Sequence, residues 1–233
     1  LFLKIRYLQW GEQRDKFFFK VGNLDNMTVG HGILMRNYAN DADFPSVRRI
    51  GVNLGLDLGV IGLETVVNDL AEPEIMGGRL YFRPFAKAFP LAIGASGIVD
   101  IDPSGEIPRD DPDTEITGPI FINVAADLDI PIIETDFLAI VLFGDVGGMM
   151  PYYRTAVTDD SGNELLPAGL YADALLVPEN LDAGMIPLRN YGVAAGVFGN
   201  ILMIDYRLEY RNYNGTFRPA FYGPNYDRLR YTY

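Results

Sequence analysis

The sequence predicts an all-β fold, an antiparallel up-and-down transmembrane β-barrel of about 10–14 strands with long loops on one rim. Three observations predict it. Apolar and polar residues alternate with a period of two along much of the chain. No apolar run reaches the length of about 18 residues that indicates a transmembrane helix. The polar strand face is dominated by glycine, alanine, asparagine, aspartate and arginine, and we expect residues 1–233 to form one barrel domain, with or without missing terminal segments.

The clearest predicted strand lies between residues 49 and 59. Every second residue from Ile50 to Leu58 is aliphatic, whereas the positions between them hold glycine, asparagine and aspartate. A second strand is predicted from Leu202 to Arg211, where leucine, isoleucine and tyrosine alternate mainly with charged residues. Because successive side chains of a strand point to opposite faces, each segment has one apolar face and one polar face.

Weaker copies of the same pattern fill much of the chain. They cover residues 1–7, 16–21, 61–68, 79–83, 91–100, 120–129 and 190–200. Residues 136–144 are apolar on both faces, so a strand is assigned there by context. The total is about ten strands, mostly joined by short turns, which favours hairpins over parallel crossovers.

Three connections are longer than the others. Residues 102–117 and 151–189 are expected on one rim, because membrane barrels place long loops on the extracellular side and short turns on the periplasmic side. Residues 23–46 contain Gly30-His31-Gly32 and form a third irregular segment, which either folds inward as a constriction or caps a rim.

Composition and charge exclude several classes of function. The absence of cysteine excludes disulfides and thiolate metal sites. A net charge of −12 argues against nucleic acid as a partner, since few groups would replace phosphate counterions. Leu1 opens directly into a strand-like pattern without a recognisable signal peptide, as expected for a mature or trimmed form.

Alternation alone fits both a membrane barrel and a soluble sandwich or lipocalin-like barrel that binds lipid. A soluble sheet buries its aliphatic face and exposes a face rich in lysine, glutamate and threonine. Here the polar face is rich in small residues and charges of both signs, which suits a crowded wet interior. Tyr191 and Tyr210 lie towards the ends of the aliphatic face, as in an interfacial aromatic girdle. We therefore favour lipid outside.

Several stretches resemble porin-like outer-membrane proteins of diderm bacteria with spirochaete-type envelopes. They are residues 19–24, 30–32, 48–51, 74–79 and 226–230. The resemblance implies a barrel in the bacterial outer membrane and no assigned chemistry. The alternating aromatic end at Tyr233 fits either a terminal insertion strand or a chain cut before further strands.

Candidate catalytic and metal-binding residues are few. A membrane hydrolase would use His31 as the general base beside a serine, but no serine lies in a nucleophile-elbow sequence. His31 between two glycines is better explained by a turn. The acidic runs 110–115 and 159–164 offer oxygen ligands for Ca²⁺ without the spacing of an EF-hand loop, and solvated loop tips explain them equally well. We expect no enzyme activity, cofactor or metal.

Charged residues on the polar strand faces carry the functional hypothesis. Those predicted to face the lumen are Lys4, Arg6, Lys20, Arg49, Asn53, Asp57, Arg79, Arg83, Asp205, Arg207, Glu209 and Arg211. Rings of such residues set the selectivity of a pore, whereas in small barrels they interlock and close the lumen. We expect a narrow porin-like channel for small polar solutes. The alternative is a plugged structural or interaction barrel. Outer-membrane lipid is the expected partner, besides other envelope proteins or further copies of the chain.

Overall fold

A computed structural model describes residues 6–13, 15–41, 48–85, 89–103, 120–135, 137–159, 161–172, 190–215 and 217–230. The strands are β1 (Tyr7–Trp10), β2 (Phe17–Gly22), β3 (Gly51–Asp57), β4 (Ile61–Val67), β5 (Ile75–Phe82), β6 (Ala92–Asp100), β7 (Ile120–Glu134), β8 (Leu138–Tyr153), β9 (Val157–Thr158), β10 (Glu164–Leu166), β11 (Gly169–Leu170), β12 (Tyr191–Ile201) and β13 (Ile204–Tyr213). One helix, α1, spans Tyr226–Leu229. Among the described residues, no helix is both long and apolar enough to cross a membrane.

The main sheet is antiparallel and up-and-down, as the sequence predicts. Its order is β1-β2-β3-β4-β5-β6-β7-β8-β12-β13, and β11 adds to β8. Strands β9 and β10 form a separate hairpin. Within the part of the chain that the structure describes, β1 and β13 are the two edges of the path and do not pair with each other, so these strands form no closed barrel.

The sheet has an exposed aliphatic face and a buried polar face. Leu54 and Leu56 on β3 are 43% and 40% exposed, and Leu208 on β13 is 73% exposed. On the opposite face, Lys20 and Asn53 are buried. The register pairs these two side chains across β2 and β3, so both belong to one face. This polarity is the reverse of a water-soluble sheet, which buries its aliphatic side.

The polar face is concave, because the sheet curls around residues 23–41, hereafter the inner segment. Strands β4 and β13 lie six strand positions apart, which is about 29 Å in a flat sheet. Two adjacent residues bridge them. The Gly30 amide donates to Glu64 of β4 at 3.2 Å, and the His31 carbonyl accepts from Arg207 of β13 at 2.8 Å. The sequence left open whether this segment folds inward or caps a rim, and it folds inward.

The apolar core occupies only one end of the concave side. It joins the inner segment to residues 217–226 and to the strand ends that lie beside them. Its members are Leu24, Met27, Val29, Ile33, Leu34, Met35, Tyr38, Val66, Ile75, Ile98, Ala125, Met149, Ala194, Phe217, Tyr222 and Tyr226. The strand members lie near the ends of their strands where the longer connections begin. That end of the concave side is therefore filled by packed side chains.

Short and long connections leave the sheet at opposite ends. The described residues of five connections form one rim, here called the short-turn rim. They are residues 11–13, 15–16, 58–60, 83–85, 89–91, 135, 137 and 202–203. The connections from β6 to β7 and from β8 to β12 leave at the other rim, together with the inner segment. Residues 104–119 and 173–189, which include most of the predicted long loops, lie outside the described residues.

Exposed aromatic side chains gather at the short-turn rim. They are Trp10, Phe17, Phe82, Phe85, Phe89 and Phe137. Trp10 and Phe17 lie on the exposed face of β1 and β2, opposite the face that holds Lys20. Aromatic belts of this kind occur where a membrane protein meets the lipid–water interface.

Several predicted strand limits were wrong, and two of them have a clear physical reason. Leu202 does not begin a strand, because Leu202 and Met203 form the tight turn between β12 and β13, with Leu202 at a φ of 54°. Residues 151–153 belong to β8 and not to a loop, because β8 continues through Gly147 and Gly148 against the apolar core. Neither feature carries a period-two signal.

Candidate functional site

A cavity of about 860 Å³ opens at the short-turn rim on the concave side of the sheet. We call it the vestibule. Its mouth includes Lys16 and Glu134, and its floor is formed by His31, Arg79 and Asp129. Concave sites of this size are the usual places for small ligands. Half of the residues that line this one are carboxylates, lysine, arginine or histidine. The vestibule is therefore the candidate site.

Backbone geometry of the inner segment brings His31 to the floor. Bridges between Met27 and Tyr38 fold the segment back on itself. Gly30 and Gly32 flank the histidine with φ values of 59° and 90°, a left-handed region that glycine adopts without steric cost. A Cβ atom on Gly30 would lie 3.2 Å from the Arg79 side chain. The two glycines thus permit a tight reversal against the charged strands.

Both ring nitrogens of His31 face carboxylates. Nδ1 lies 2.7 Å from Asp145 Oδ1, and Nε2 lies 3.4 Å from Asp129 Oδ2. The His31 and Asp145 side chains are 3% and 2% exposed. Burial by itself lowers the pKa of His31, but hydrogen bonds with Asp129 and Asp145 and the charges of Asp145 and Asp127 raise it above its ordinary value. The ring also packs against Phe143, with centroids 5.1 Å apart.

Arg79 of β5 forms ion pairs with several carboxylates at the vestibule floor. Its Nε donates to Asp127 Oδ2 at 3.0 Å, and Nη2 donates to Asp127 Oδ1. Nη1 donates to Glu64 Oε1 at 3.1 Å, while the guanidinium stacks 4.7 Å from the Tyr81 ring centre. Such bidentate, charge-assisted bonds fix orientation as well as energy. The side chains of Glu64 and Asp129 remain 27% and 21% exposed, so solvent in the vestibule meets carboxylates first.

Gly94 of β6 makes room for the arginine–aspartate pair. A Cβ atom at this position would lie 2.5 Å from Asp127 Oδ2 and 2.7 Å from Arg79 Nε. Real Cβ atoms do not approach other atoms so closely, so any larger residue would displace the pair. At this position, a glycine of the polar strand face leaves room for the charged side chains of its neighbours.

A third charged group attaches the inner segment to β13. Arg36 Nη1 donates to Glu209 Oε1 at 3.1 Å, and Arg207 and Arg211 also pair with Glu209. Arg207 additionally donates to the His31 carbonyl. These contacts link the inner segment to β13 on the part of the concave side that lies across from Arg79.

A separate polar cluster lies at the other end, beside the apolar core. The Tyr38 hydroxyl donates to Asp227 Oδ1 at 3.0 Å, and Arg49 pairs with the other carboxylate oxygen at 3.2 Å. Burial raises the pKa of Asp227 to about 6, against the attraction of Arg49 and Arg230 and the hydrogen bond from Tyr38. Arg230 also pairs with Asp100 of β6. This cluster fastens α1 to the inner segment and does not line the vestibule.

Known proteins offer no template for the vestibule. No protein-family model, curated protein or solved structure matches the chain. Its chemistry is therefore inferred from its own side chains.

Most residues expected in the interior lie on the concave side and have partners there. They are Lys20, Arg49, Asn53, Asp57, Arg79, Arg83, Arg207, Glu209 and Arg211. Asp57 and Arg83 pair at 2.8 Å inside the vestibule.

One expected residue is placed differently. The Arg6 side chain is 64% exposed and pairs with Asp41. The β1–β2 register sets Tyr7 on the face of Lys20, so the expected inward position of Arg6 is corrected. Asp205 shares the face of Arg207, as expected, and is exposed near the start of β13. Lys4 lies outside the described residues.

Sequence reasoning missed the carboxylates that surround His31. Asp127 and Asp129 alternate with apolar neighbours, and that alternation marks them as polar-face residues. Asp145 follows a run that is apolar on both faces, so no local pattern singled it out. A serine partner for a hydrolytic His31 would need one of the ring nitrogens, and both face carboxylates.

Only part of the acidic runs suggested for Ca²⁺ lies among the described residues. Residues 110–115 lie outside the described residues. Asp159 accepts from the amides of Ser161 and Asn163, which makes it the cap of its own turn. Asp160 lies outside the described residues, and Glu164 is exposed at the start of β10.

Proposed function

We propose that this chain is a bacterial outer-membrane β-barrel protein with lipid against its aliphatic face and with an interior closed at rest by the inner segment. The reversed polarity of the sheet carries the proposal. Exposed leucines such as Leu54 and Leu208 would be costly in water as a continuous surface, whereas acyl chains solvate them. The buried charges, including Arg79 and Asp127, then have the paired environment that a polar interior provides.

The curl of the sheet supports closure into a barrel in the membrane. Hydrocarbon offers no hydrogen-bond partner to the backbone of an open edge, so strands that cross a bilayer close on themselves. Gly30 and His31 already join β4 to β13 across the concave side. The aromatic belt at the short-turn rim supports an interface at that height.

Packing of the inner segment favours a plugged lumen over an open channel. Leu24, Met35 and Tyr38 are fully buried in the apolar core at one end, and the ionic contacts of His31 and Arg36 close the middle. The vestibule at the other end favours a second candidate, a narrow channel for small polar solutes that opens when the segment moves.

Trp10 tests the lipid contact. It is the only tryptophan, 66% exposed on the outer face near the short-turn rim. The full chain is folded into vesicles whose lipids carry bromine at different acyl depths, and its fluorescence is recorded. We expect strong quenching by shallow bromines. Emission quenched by aqueous iodide and untouched by brominated lipid would refute the proposal.

Planar-bilayer conductance separates the plugged barrel from the channel. We expect no steady single-channel steps from the wild type, and steps from a variant whose residues 28–36 are replaced by a short Gly-Ser linker. Strand content by circular dichroism and Trp10 emission confirm that the variant is folded. Steady single-channel steps from the wild type would refute the plugged interior and favour the channel.

A further inference from the structure

We propose that the vestibule floor binds a divalent first-row metal ion, of which Zn²⁺ is the test case, through His31 Nε2 and the carboxylates of Asp129 and Asp127. The site concerns the interior of the sheet, so it is independent of what covers the outer face. Imidazole and carboxylate together suit zinc and its neighbours in the first transition row. Metal binding at this site would be a further property of the chain, since a plugged barrel does not require it.

The ligand atoms lie close enough together to meet at one metal ion. One ligand atom from each of the three residues lies within 4.8 Å of the others. His31 Nε2 and Asp129 Oδ2 are 3.4 Å apart, which is long for an N–H···O hydrogen bond. Ligands about 2.0–2.1 Å from a tetrahedral ion are separated by about 3.3 Å. This pair is therefore already spaced as two ligands of one ion.

Asp145 orients the histidine as an outer partner of a metal site does. A metal-binding histidine almost always donates its other ring N–H to a carboxylate or carbonyl, which fixes the tautomer and aims the free nitrogen. His31 Nδ1 and Asp145 Oδ1 are 2.7 Å apart and both side chains are buried. The remaining nitrogen, Nε2, then points towards Asp129 at the vestibule floor.

Arg79 is compatible with an ion on Asp127. A carboxylate has about four lone-pair sites. Arg79 donates to both oxygens of Asp127, and its Nη2 also lies 3.5 Å from Asp129 Oδ2. Four carboxylates, those of Glu64, Asp127, Asp129 and Asp145, meet in this group, and the first three share the single positive charge of Arg79, so carboxylates are in excess over this guanidinium. A divalent ion reduces that excess, and the vestibule supplies access and a water for the open position.

Zinc titration of the purified, folded full chain tests the site. The chain is stripped with EDTA, and Zn²⁺ binding is measured by calorimetry for the wild type, Asp129→Asn and His31→Gln. Glu134→Gln is the matched control, since it removes a carboxylate at the mouth of the same vestibule. We expect one Zn²⁺ per wild-type chain, a loss of affinity of at least about tenfold in Asp129→Asn and His31→Gln, and no change in the control.

Two results would overturn the site. One is the absence of saturable Zn²⁺ binding by the wild type, in which case a proton alone occupies Nε2. The other is equal affinity in Asp129→Asn and Glu134→Gln, which would place the ion on surface carboxylates. X-ray absorption at the zinc edge should show one imidazole in the wild type. If His31→Gln fails to fold, Asp129→Asn and the control still decide the matter.

Discussion

Arginine at two depths of one strand face gives the most direct test of where lipid lies. Leu54 is the middle residue of the aliphatic series from Ile50 to Leu58, and Leu58 is its last member. Both side chains are exposed, Leu54 within β3 and Leu58 directly after the strand ends, in the turn at the mouth of the vestibule. Leu54→Arg and Leu58→Arg therefore add the same charge at the middle of the strand and at the short-turn rim.

The separation of the two sites sets the expected magnitude. Four residues along a strand span about 14 Å, which a tilt of about 40° reduces to about 10 Å along the bilayer normal. The apolar band of a membrane barrel is about 25 Å tall, so a central Leu54 puts Leu58 close to the interface. Leu54→Arg should cost about 2–4 kcal/mol of folding free energy, and Leu58→Arg at most about 1 kcal/mol. In a water-exposed sheet, both changes would stay within about 0.5 kcal/mol.

Urea titration of the chain in phosphatidylcholine vesicles measures this difference. Trp10 fluorescence and circular dichroism report folding, and the wild type and both variants are compared at equal lipid concentration. Because the two variants carry the same net charge, non-specific effects of charge on vesicle binding cancel. Two variants within 0.5 kcal/mol of each other, or Leu58→Arg as the more costly, would refute lipid on this face.

Two further predictions concern the interior. Gly94→Ala should destabilise the chain by about 1–3 kcal/mol because its Cβ would overlap Asp127 and Arg79. A Cβ at Gly97 on the same strand would meet only the Asn123 carbonyl oxygen, at an ordinary contact distance of 3.9 Å, so Gly97→Ala should change the free energy of unfolding by less than about 0.5 kcal/mol. Equal urea midpoints for the two variants would contradict this. Burial raises the pKa of Asp227 to about 6 from an ordinary value of 3.8, so between pH 4 and 6 the folded state holds the extra proton and stability falls as the pH rises. Asp227→Asn should flatten that slope in urea titrations, and an unchanged slope would show that another group causes it.

Period-two alternation in the sequence predicted the strands wherever one face of the sheet is apolar throughout and the other is polar throughout. Residues 49–59 alternate strictly, and β3 forms there with its aliphatic side exposed. Where both sides are apolar, as along β8 beside the core, alternation disappears and the strand end was misplaced. The length of β7 was underestimated as well, since Pro131 interrupts the pattern and lies at an irregularity of the register with β8.

The candidate site could not be predicted from local pattern, because it depends on contacts between distant residues. His31 meets Asp145, which is 114 positions away in sequence, and Arg36 meets Glu209, which is 173 positions away. Two glycines around a histidine predicted a turn, and a turn is present. What that turn approaches is set by the curl of the whole sheet, which no short window of sequence encodes.

The position of the vestibule follows from the polarity of the sheet and the reach of the inner segment. A sheet with an aliphatic outer face turns its charges inward, and each buried charge is costly unless it is paired. The inner segment supplies such partners, namely His31 and Arg36. It covers the concave face only up to its turn at Gly30. Beyond that turn, no segment among the described residues covers the concave face, and Asp57 and Arg83 pair with each other beside the open vestibule. A longer inner segment would close the vestibule, and a shorter one would leave Asp127, Asp129 and Asp145 with Arg79 as their nearest cation. The histidine therefore lies at the boundary between the filled and the open interior, where a ligand from solvent first meets a prearranged group of side chains.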